Sequence, residues 1–348
     1  MSKGILIVNL GSPDDTSKKS VKRYLREFLM DKRVIDIPII SRFLLVRGII
    51  LNTRPKKSAA AYEKIWWKEG SPLVVLTNRL AEKIRAKIDV PLAVGMRYGS
   101  LSIKKGLQKL SKQGVDEVLM IPLYPQYAMS TTETVIEKTR DVRNKYFPNM
   151  KVDVFPPFYK DKNYIKVLAE SLKSEMGTDI SAHLIFSYHG VPERHIYKSD
   201  ITKSHCKIDG NCCVQDSPAH DYCYRHQCFT TTQLVVEELG VEKENYSNTF
   251  QSRLGRSEWL KPYTSEFLVE IANTKKNVTI VSPAFVADCL ETLEELGMEN
   301  KEVFMEAGGE KYTLLSCLND KDEWADLLAK WSKEWLESDT KKEFLELN

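Results

Sequence analysis

An alternation of short strand-like runs with helix-patterned stretches limits what this chain can fold into. Ile5-Leu-Ile-Val-Asn-Leu10 is a nearly continuous apolar run that ends in Gly11-Ser-Pro13, as a strand buried on both faces reads. Val21, Tyr24, Leu25, Phe28 and Leu29 then recur at helical spacing. Further strand-like segments fall at Pro91–Met96, Glu117–Leu123, Lys151–Phe155, His183–Ser187, Tyr246–Gln251 and Val278–Ser282, with short edge strands at Val303–Met305 and Tyr312–Leu315. Helices are expected between them, among them one opening at Phe285 and running to Leu296. This rhythm predicts an α/β fold with parallel sheets. A chain of 348 residues exceeds the commonest single-domain size, so two similar α/β domains facing a cleft are expected. The partition that follows is 1–130 with a four-stranded parallel sheet, 131–320, and a tail at 321–348. The tail is amphipathic and carries Trp324, Trp331 and Trp335.

One segment, 195–228, breaks the rhythm. All six histidines lie between His183 and His226, and five of the seven cysteines lie between Cys206 and Cys228. An odd cysteine count without an export signal points to a reducing, cytoplasmic setting and to metal or cluster ligation in place of disulfides. Zinc, with His205, His220 or His226 as partners, is one candidate occupant. A net charge of +3 argues against a nucleic-acid binder that works by neutralising phosphates. No run approaches the length of a membrane span. The stretch Ile35–Leu51 is unusually apolar and is followed by Arg54, Lys56 and Lys57. It reads either as a core helix or, over 38–51, as a lip that touches a lipid surface while its basic residues meet anionic headgroups.

His189 follows the strand at His183–Ser187 and precedes Gly190-Val-Pro192. That places an imidazole at the carboxyl end of a strand, where open α/β sheets hold their ligands. Asp288 and Glu291 are expected in the first turn of the helix after Val278–Ser282. Glu291, Glu295 and Glu299 lie four apart and would share one helix face. An imidazole opposite a carboxylate accepts protons and holds a divalent cation in transit. The plainer readings are a structural histidine and a solvated acidic face.

Three stretches resemble the ferrochelatase family, whose members place ferrous iron in a porphyrin. They are F-S-Y-H-G-V-P-E-R (186–194), F-Q-S-R-L-G-R-S-E-W-L-K-P-Y-T (250–264) and P-A-F-V-A-D-C-L-E-T-L-E-E-L (283–296). Val8–Pro13 and Tyr124–Thr132 are similar to the same family, in family order. The resemblance implies two Rossmann-like domains of the chelatase type with protoporphyrin IX bound between them, and Fe2+ as the second substrate. It implies His189 as the active-site histidine, Glu291 as the essential acid, Asp288 as an acid close by, and Glu295 and Glu299 as a carboxylate path for metal or protons. It further implies that Arg97, Tyr98, Ser71, Tyr127, Phe285 and Trp259 meet the macrocycle or its propionates, with Arg54 as a lip or propionate contact. Cys289 stands where some members have a second histidine. Some bacterial members and the animal enzymes carry a [2Fe–2S] cluster. Four thiolates suffice for one, and Cys206, Cys212, Cys213, Cys223 and Cys228 supply five.

Metal insertion requires two pyrrole N–H protons to leave and the metal to shed its water. His189 is the expected acceptor and Glu291 the relay. Nitrogen and oxygen ligands do not by themselves select iron, so zinc insertion in vitro is also expected. The competing readings are a chelatase for cobalt or nickel, one for another tetrapyrrole such as coproporphyrin III, and a non-catalytic porphyrin or haem carrier with an iron–sulfur sensor.

Overall fold

The computed structural model describes residues 2–177, 182–255, 257–337 and 344–347. Nine strands occur among them: β1 (Lys3–Gly11), β2 (Leu92–Tyr98), β3 (Glu117–Pro122), β4 (Lys151–Val154), β5 (His183–His189), β6 (Tyr246–Gln251), β7 (Asn277–Val281), β8 (Lys311–Leu314) and β9 (Leu345–Glu346). They form two sheets, ordered β2-β1-β3-β4-β9 and β6-β5-β7-β8. Every pairing is parallel except the short antiparallel β9 on β4.

The described chain divides into two compact units. One comprises Met1–Tyr124, Met129–Pro157 and Asn319–Asn348; the other comprises Pro125–Ala128 and Phe158–Leu318. This differs from a 1–130, 131–320, 321–348 partition in placing Pro125–Ala128 in the second unit, and in two larger ways. β4 pairs with β3 and so completes the first sheet, because the strand next in sequence to β3 is also its neighbour in space. The tail helix Asp322–Glu337 also belongs to the first unit. There Trp335 Nε1 donates to Asp153 Oδ2 over 2.8 Å, and Trp331 stacks on Phe155 with ring centroids 4.5 Å apart. Its tryptophans cover the end of β4, which explains why an amphipathic helix follows the last strand of the second unit.

Leu6, Val8, Ala93, Leu107, Val118, Met120, Val135 and Val152 lie in one core. Ile185, Leu268, Val278, Ile280, Leu296 and Phe304 lie in the other. Burying this apolar surface is the main drive for both units, at about 25 cal/mol per Å² removed from water. β1 ends on Gly11, whose φ is +102° and whose place would bring a Cβ within 2.0 Å of the Tyr98 carbonyl; only glycine fits there. Val303–Met305 is not a strand. It lies in the helix Asn300–Glu306, with Phe304 wholly buried against the second core. Three apolar residues are too few to separate the two periodicities.

Candidate functional site

In the second unit β5, β6 and β7 run parallel, so their carboxyl ends share one edge. Register pairs His189 with Gln251. Gly190 N–H donates to the Gln251 carbonyl over 2.7 Å, and His189 Nδ1 lies 2.6 Å from the Gly190 carbonyl oxygen. A carbonyl only accepts, so Nδ1 carries the proton in that bond and Nε2 of the neutral ring holds the lone pair. The ring is half-buried and stands edge-on to Phe285, with centroids 6.2 Å apart.

After β7 the chain does not enter a helix at Phe285. The helix begins at Leu290 and continues from Glu291 to Glu299 as a π-helix. Asp288, buried, precedes it and accepts from Thr292 Oγ1 over 2.9 Å. Because π-helices bond i→i+5 and concentrate at functional sites, the four-residue glutamate spacing is read on a wider turn than expected. Glu291 and Glu295 are half-buried, while Glu299 is exposed. The three carboxylates therefore do not share one environment.

Two residues of β6 and its loop hold this acidic turn. Gln251 Oε1 accepts from Ser187 Oγ over 2.7 Å, and its Nε2 donates to the Glu291 carbonyl over 3.4 Å. Ser252 Oγ donates to the Glu295 carboxylate, and Ser252 adopts φ +64° to do so. Burial raises the pKa of Glu295 above the ordinary carboxylate value. The Ser252 bond and the charge of His189 oppose this, while Glu291 adds to it. Such a group gives up and regains a proton more readily near neutrality.

Trp259 is buried, donates through Nε1 to the Leu254 carbonyl over 3.1 Å, and pairs its backbone with Pro192. Tyr127 is half-buried, edge-on to Tyr222 at 5.2 Å.

In the first unit, Arg97 and Tyr98 share one acidic partner, Asp31. Arg97 is bound by the Asp31 carboxylate and donates through Nε to Thr134 Oγ1 over 2.7 Å. Tyr98 is 1% exposed, and its hydroxyl donates to Asp31 over 3.0 Å. Burial pushes the Asp31 carboxyl up, but bonds from Thr134 and the Arg33 N–H and the charge of Arg97 hold it below its usual value. A guanidinium so engaged is a weak partner for an incoming propionate. Ser71 is buried at the start of the helix Pro72–Arg85, and Arg54 is exposed on the helix Leu51–Ile65.

The apolar stretch is not a core helix. It is a helix over Ile39–Phe43 continued by a π-helix over Leu44–Ile50. Ile39, Ile40, Phe43, Leu44 and Ile49 are exposed, and Ile40 is 73% so. Between positions 39 and 50 only Arg42, Val46 and Ile50 are buried. Arg47 lies over the Phe43 ring at 4.8 Å. Among the described residues no helix is long and apolar enough to cross a membrane.

The segment 195–228 is organised by Asp200. Its carboxylate accepts from Thr202 N and Oγ1 and from the N–H groups of His205 and Cys206, at 2.7–2.9 Å. Burial opposes its charge, yet these bonds hold its pKa down to about 2. All five cysteines are buried and free. Cys223 acts on the titration of both Cys206 and Cys213, and Arg225 donates to Cys213 Sγ over 3.1 Å. Burial pushes the Cys206 thiol up to about 11. His205 and His220 both reach the Cys212 carbonyl, at 2.7 and 2.9 Å, and His226 stacks on His220. Among the described residues no three His, Cys, Asp or Glu side chains stand in a metal-ligand arrangement.

The family model for ferrochelatase matches residues 2–336. The chain belongs to the ferrochelatase family. It is 47% identical over 328 residues to a ferrochelatase of Pseudomonas fluorescens, covering 93% of this chain and 96% of that one. It is 42% identical over 341 residues to a ferrochelatase of Opitutus terrae, covering 97% and 99%. Among solved structures it is similar to SirB from Bacillus subtilis with Fe3+, at TM-score 0.54 and 14% identity, covering 96% of this chain and 95% of that one. A sirohydrochlorin chelatase SirB from Bacillus subtilis subspecies spizizenii in complex with cobalt gives TM-score 0.55 and 11% identity, covering 99% of each. The two structures show a shared chelatase fold, and the sequence relatives show the enzyme family. Gln251, Ser187, Ser252, Thr292, Asp31 and Asp200 are the supporting residues that sequence reasoning passed over. Only Asp31 and Asp200 lie outside the quoted motifs.

Proposed function

We propose that this chain inserts Fe2+ into protoporphyrin IX to give protohaem, with His189 accepting the pyrrole protons and Glu291 passing them on. The observation that carries this reading is the His189 tautomer. With Nδ1–H committed to the Gly190 carbonyl, Nε2 is the available base. Each pyrrole N–H proton leaves to Nε2 and the imidazolium returns it through the carboxylates, so two protons depart for each Fe2+ bound. Glu295, its pKa raised by burial and in electrostatic reach of both His189 and Glu291, suits the outgoing proton. Asp288, tied to Thr292, supports the turn, and Glu299 at the exposed end faces arriving metal. Imidazole and carboxylate donors also take zinc, so zinc insertion accompanies the iron activity.

The exposed Ile39, Ile40, Phe43, Leu44 and Ile49 support two finer assignments. They suit a porphyrin with two propionates better than coproporphyrin III with four. Together with Arg47 and Arg54 they suit peripheral contact with an anionic lipid surface.

The cysteine segment is the proposed seat of a [2Fe–2S] cluster. Five buried thiols within one short segment match the donor set in kind, and four are needed. The sulfurs must shift to surround the cluster. Burial raises the pKa of the Cys206 and Cys228 thiols, and thiols bound to a cluster would be deprotonated by it.

The test is an anaerobic assay of Fe2+ insertion into protoporphyrin IX by wild type and His189→Ala, preceded by a visible spectrum with iron, sulfide and zinc analysis. Haem formation by wild type alone supports the reading, and a red-brown protein supports the cluster. A colourless, zinc-containing, active protein replaces the cluster with zinc. Tight porphyrin binding with no turnover by wild type makes the chain a carrier.

A further inference from the structure

The peptide unit that joins His189 to Gly190 is held at both ends. Its N–H, on Gly190, donates to the Gln251 carbonyl over 2.7 Å. Its carbonyl, on His189, accepts from the Tyr224 hydroxyl over 2.9 Å. A peptide unit is planar, so two opposed bonds fix the rotation of the whole plane. That plane leads directly into the Gly190 carbonyl that receives the His189 ring N–H. The orientation of the imidazole therefore depends on both bonds.

Only the Gln251 bond is part of the sheet edge. Tyr224 comes from elsewhere: it is 7% exposed and opens the helix Tyr224–Leu239, directly after Cys223 and one turn before Cys228. Residues four apart share a helix face, which sets the wholly buried Cys228 beside the Tyr224 ring. The phenol has one proton to give, and it goes to the His189 carbonyl. A shift of Cys223 or Cys228 that moves Tyr224 thus alters the support of the base.

We infer that Tyr224 is a positioning residue for His189, and that through its hydroxyl the cysteine-rich segment sets the orientation of the imidazole. The inference rests on the reading of His189 as proton acceptor. Tyr224 does not touch substrate. It acts on the carbonyl of the residue that does, and removing its hydroxyl leaves the imidazole in place but less restrained.

Tyr224→Phe in the full chain tests this, because phenylalanine keeps the buried ring and deletes only the donor. The expected result is a fall in kcat for metal insertion of about tenfold, as small misplacements of reacting groups produce, with the porphyrin KM within about twofold of wild type. The pH profile of kcat should move, and the His189 imidazole ¹⁵N resonances should shift in the folded protein. An unchanged kcat with unmoved resonances overturns the inference. So does a loss of kcat that tracks the folded fraction while the pH profile stays in place, which is a merely structural effect. If wild type itself fails to insert metal, the proposed function falls, and the imidazole resonances alone decide: shifted in Tyr224→Phe they support the positioning role, unmoved they refute it.

Discussion

Nδ1 of His189 lies 2.6 Å from the carbonyl oxygen of its own neighbour, Gly190. A ring nitrogen that donates to a backbone carbonyl fixes the tautomer without recruiting a carboxylate and leaves Nε2 to accept a proton. His189→Ala should therefore lower kcat for iron and zinc insertion by about 10²–10⁴-fold, the usual weight of a positioned general base. Porphyrin binding, followed by quenching of intrinsic fluorescence, should persist. Added imidazole should restore part of the rate. A variant that metallates at the wild-type rate would remove His189 from the reaction.

Gly190 is small because the sheet edge leaves no room. A Cβ there would stand 2.8 Å from the Gln251 carbonyl oxygen and 3.3 Å from the Trp259 ring. Backbone cannot give way as a flexible side chain can, so Gly190→Ala must push β5 and β6 apart at the site. The expected loss is about 1–3 kcal/mol of stability, typical of overpacking, read from denaturant midpoints. kcat should fall with it, since the same displacement moves His189.

Gln251 joins the base to the acid. Its backbone carbonyl holds Gly190, while its side chain accepts from Ser187 and donates to the Glu291 carbonyl. Gln251→Leu keeps the volume and the backbone bond but strips both side-chain bonds. It should cost about 1–3 kcal/mol for the stranded polar groups, with kcat reduced more than porphyrin affinity. Equal losses in both would mean that Gln251 merely packs.

The contrast between His189 and Arg97 shows what the sequence makes legible. His189 follows a recognisable strand, and its placement at the carboxyl edge follows from parallel topology, which local pattern specifies well. Arg97 also ends a strand, yet its guanidinium is bound by Asp31, 66 positions away in sequence, and no local period reveals such a partner. β4 joins β3 in the first sheet and not the second half of the chain for a related reason: hydrophobic pattern gives a strand its existence and tertiary pairing gives it its neighbours. The sequence predicts a helix from Phe285 through Glu291, whereas the chain turns helical only at Leu290. The π-helix bonds one residue further on, a difference that side-chain type does not encode. The cysteine-rich segment was conspicuous by composition, whereas Asp200, which bonds its first turn, looks like any loop aspartate.

Glu295 offers a pH test with a definite sign. Burial raises its pKa in the folded protein above the unfolded value, so the folded state binds the proton more tightly. Stability is then greatest below the ordinary carboxylate range and declines as pH rises through the raised folded pKa. Glu295→Gln keeps an acceptor for Ser252 and removes the buried charge. At neutral pH its melting temperature should exceed that of wild type, the gap should close on acidification towards pH 4, and kcat should fall. A variant less stable than wild type at pH 7 would show that the ionised Glu295–Ser252 bond outweighs desolvation.

Asp200 collects four hydrogen bonds from Thr202, His205 and Cys206, and its depressed pKa records how well the charge is held. Deleting the carboxylate leaves the N–H groups of His205 and Cys206 without this acceptor, and Cys206 is the first thiol of the segment. Bonds to a charged acceptor are worth about 1.5–3 kcal/mol each before their mutual dependence is counted. Asp200→Ala should therefore loosen 200–213 locally while both sheets remain folded. Hydrogen exchange should accelerate at His205 and Cys206 with β1 and β5 protected as before, and the buried thiols should react faster with a thiol reagent. Unchanged exchange at those two amides would show that the fold of the segment is set by the packing of its cysteines and histidines instead.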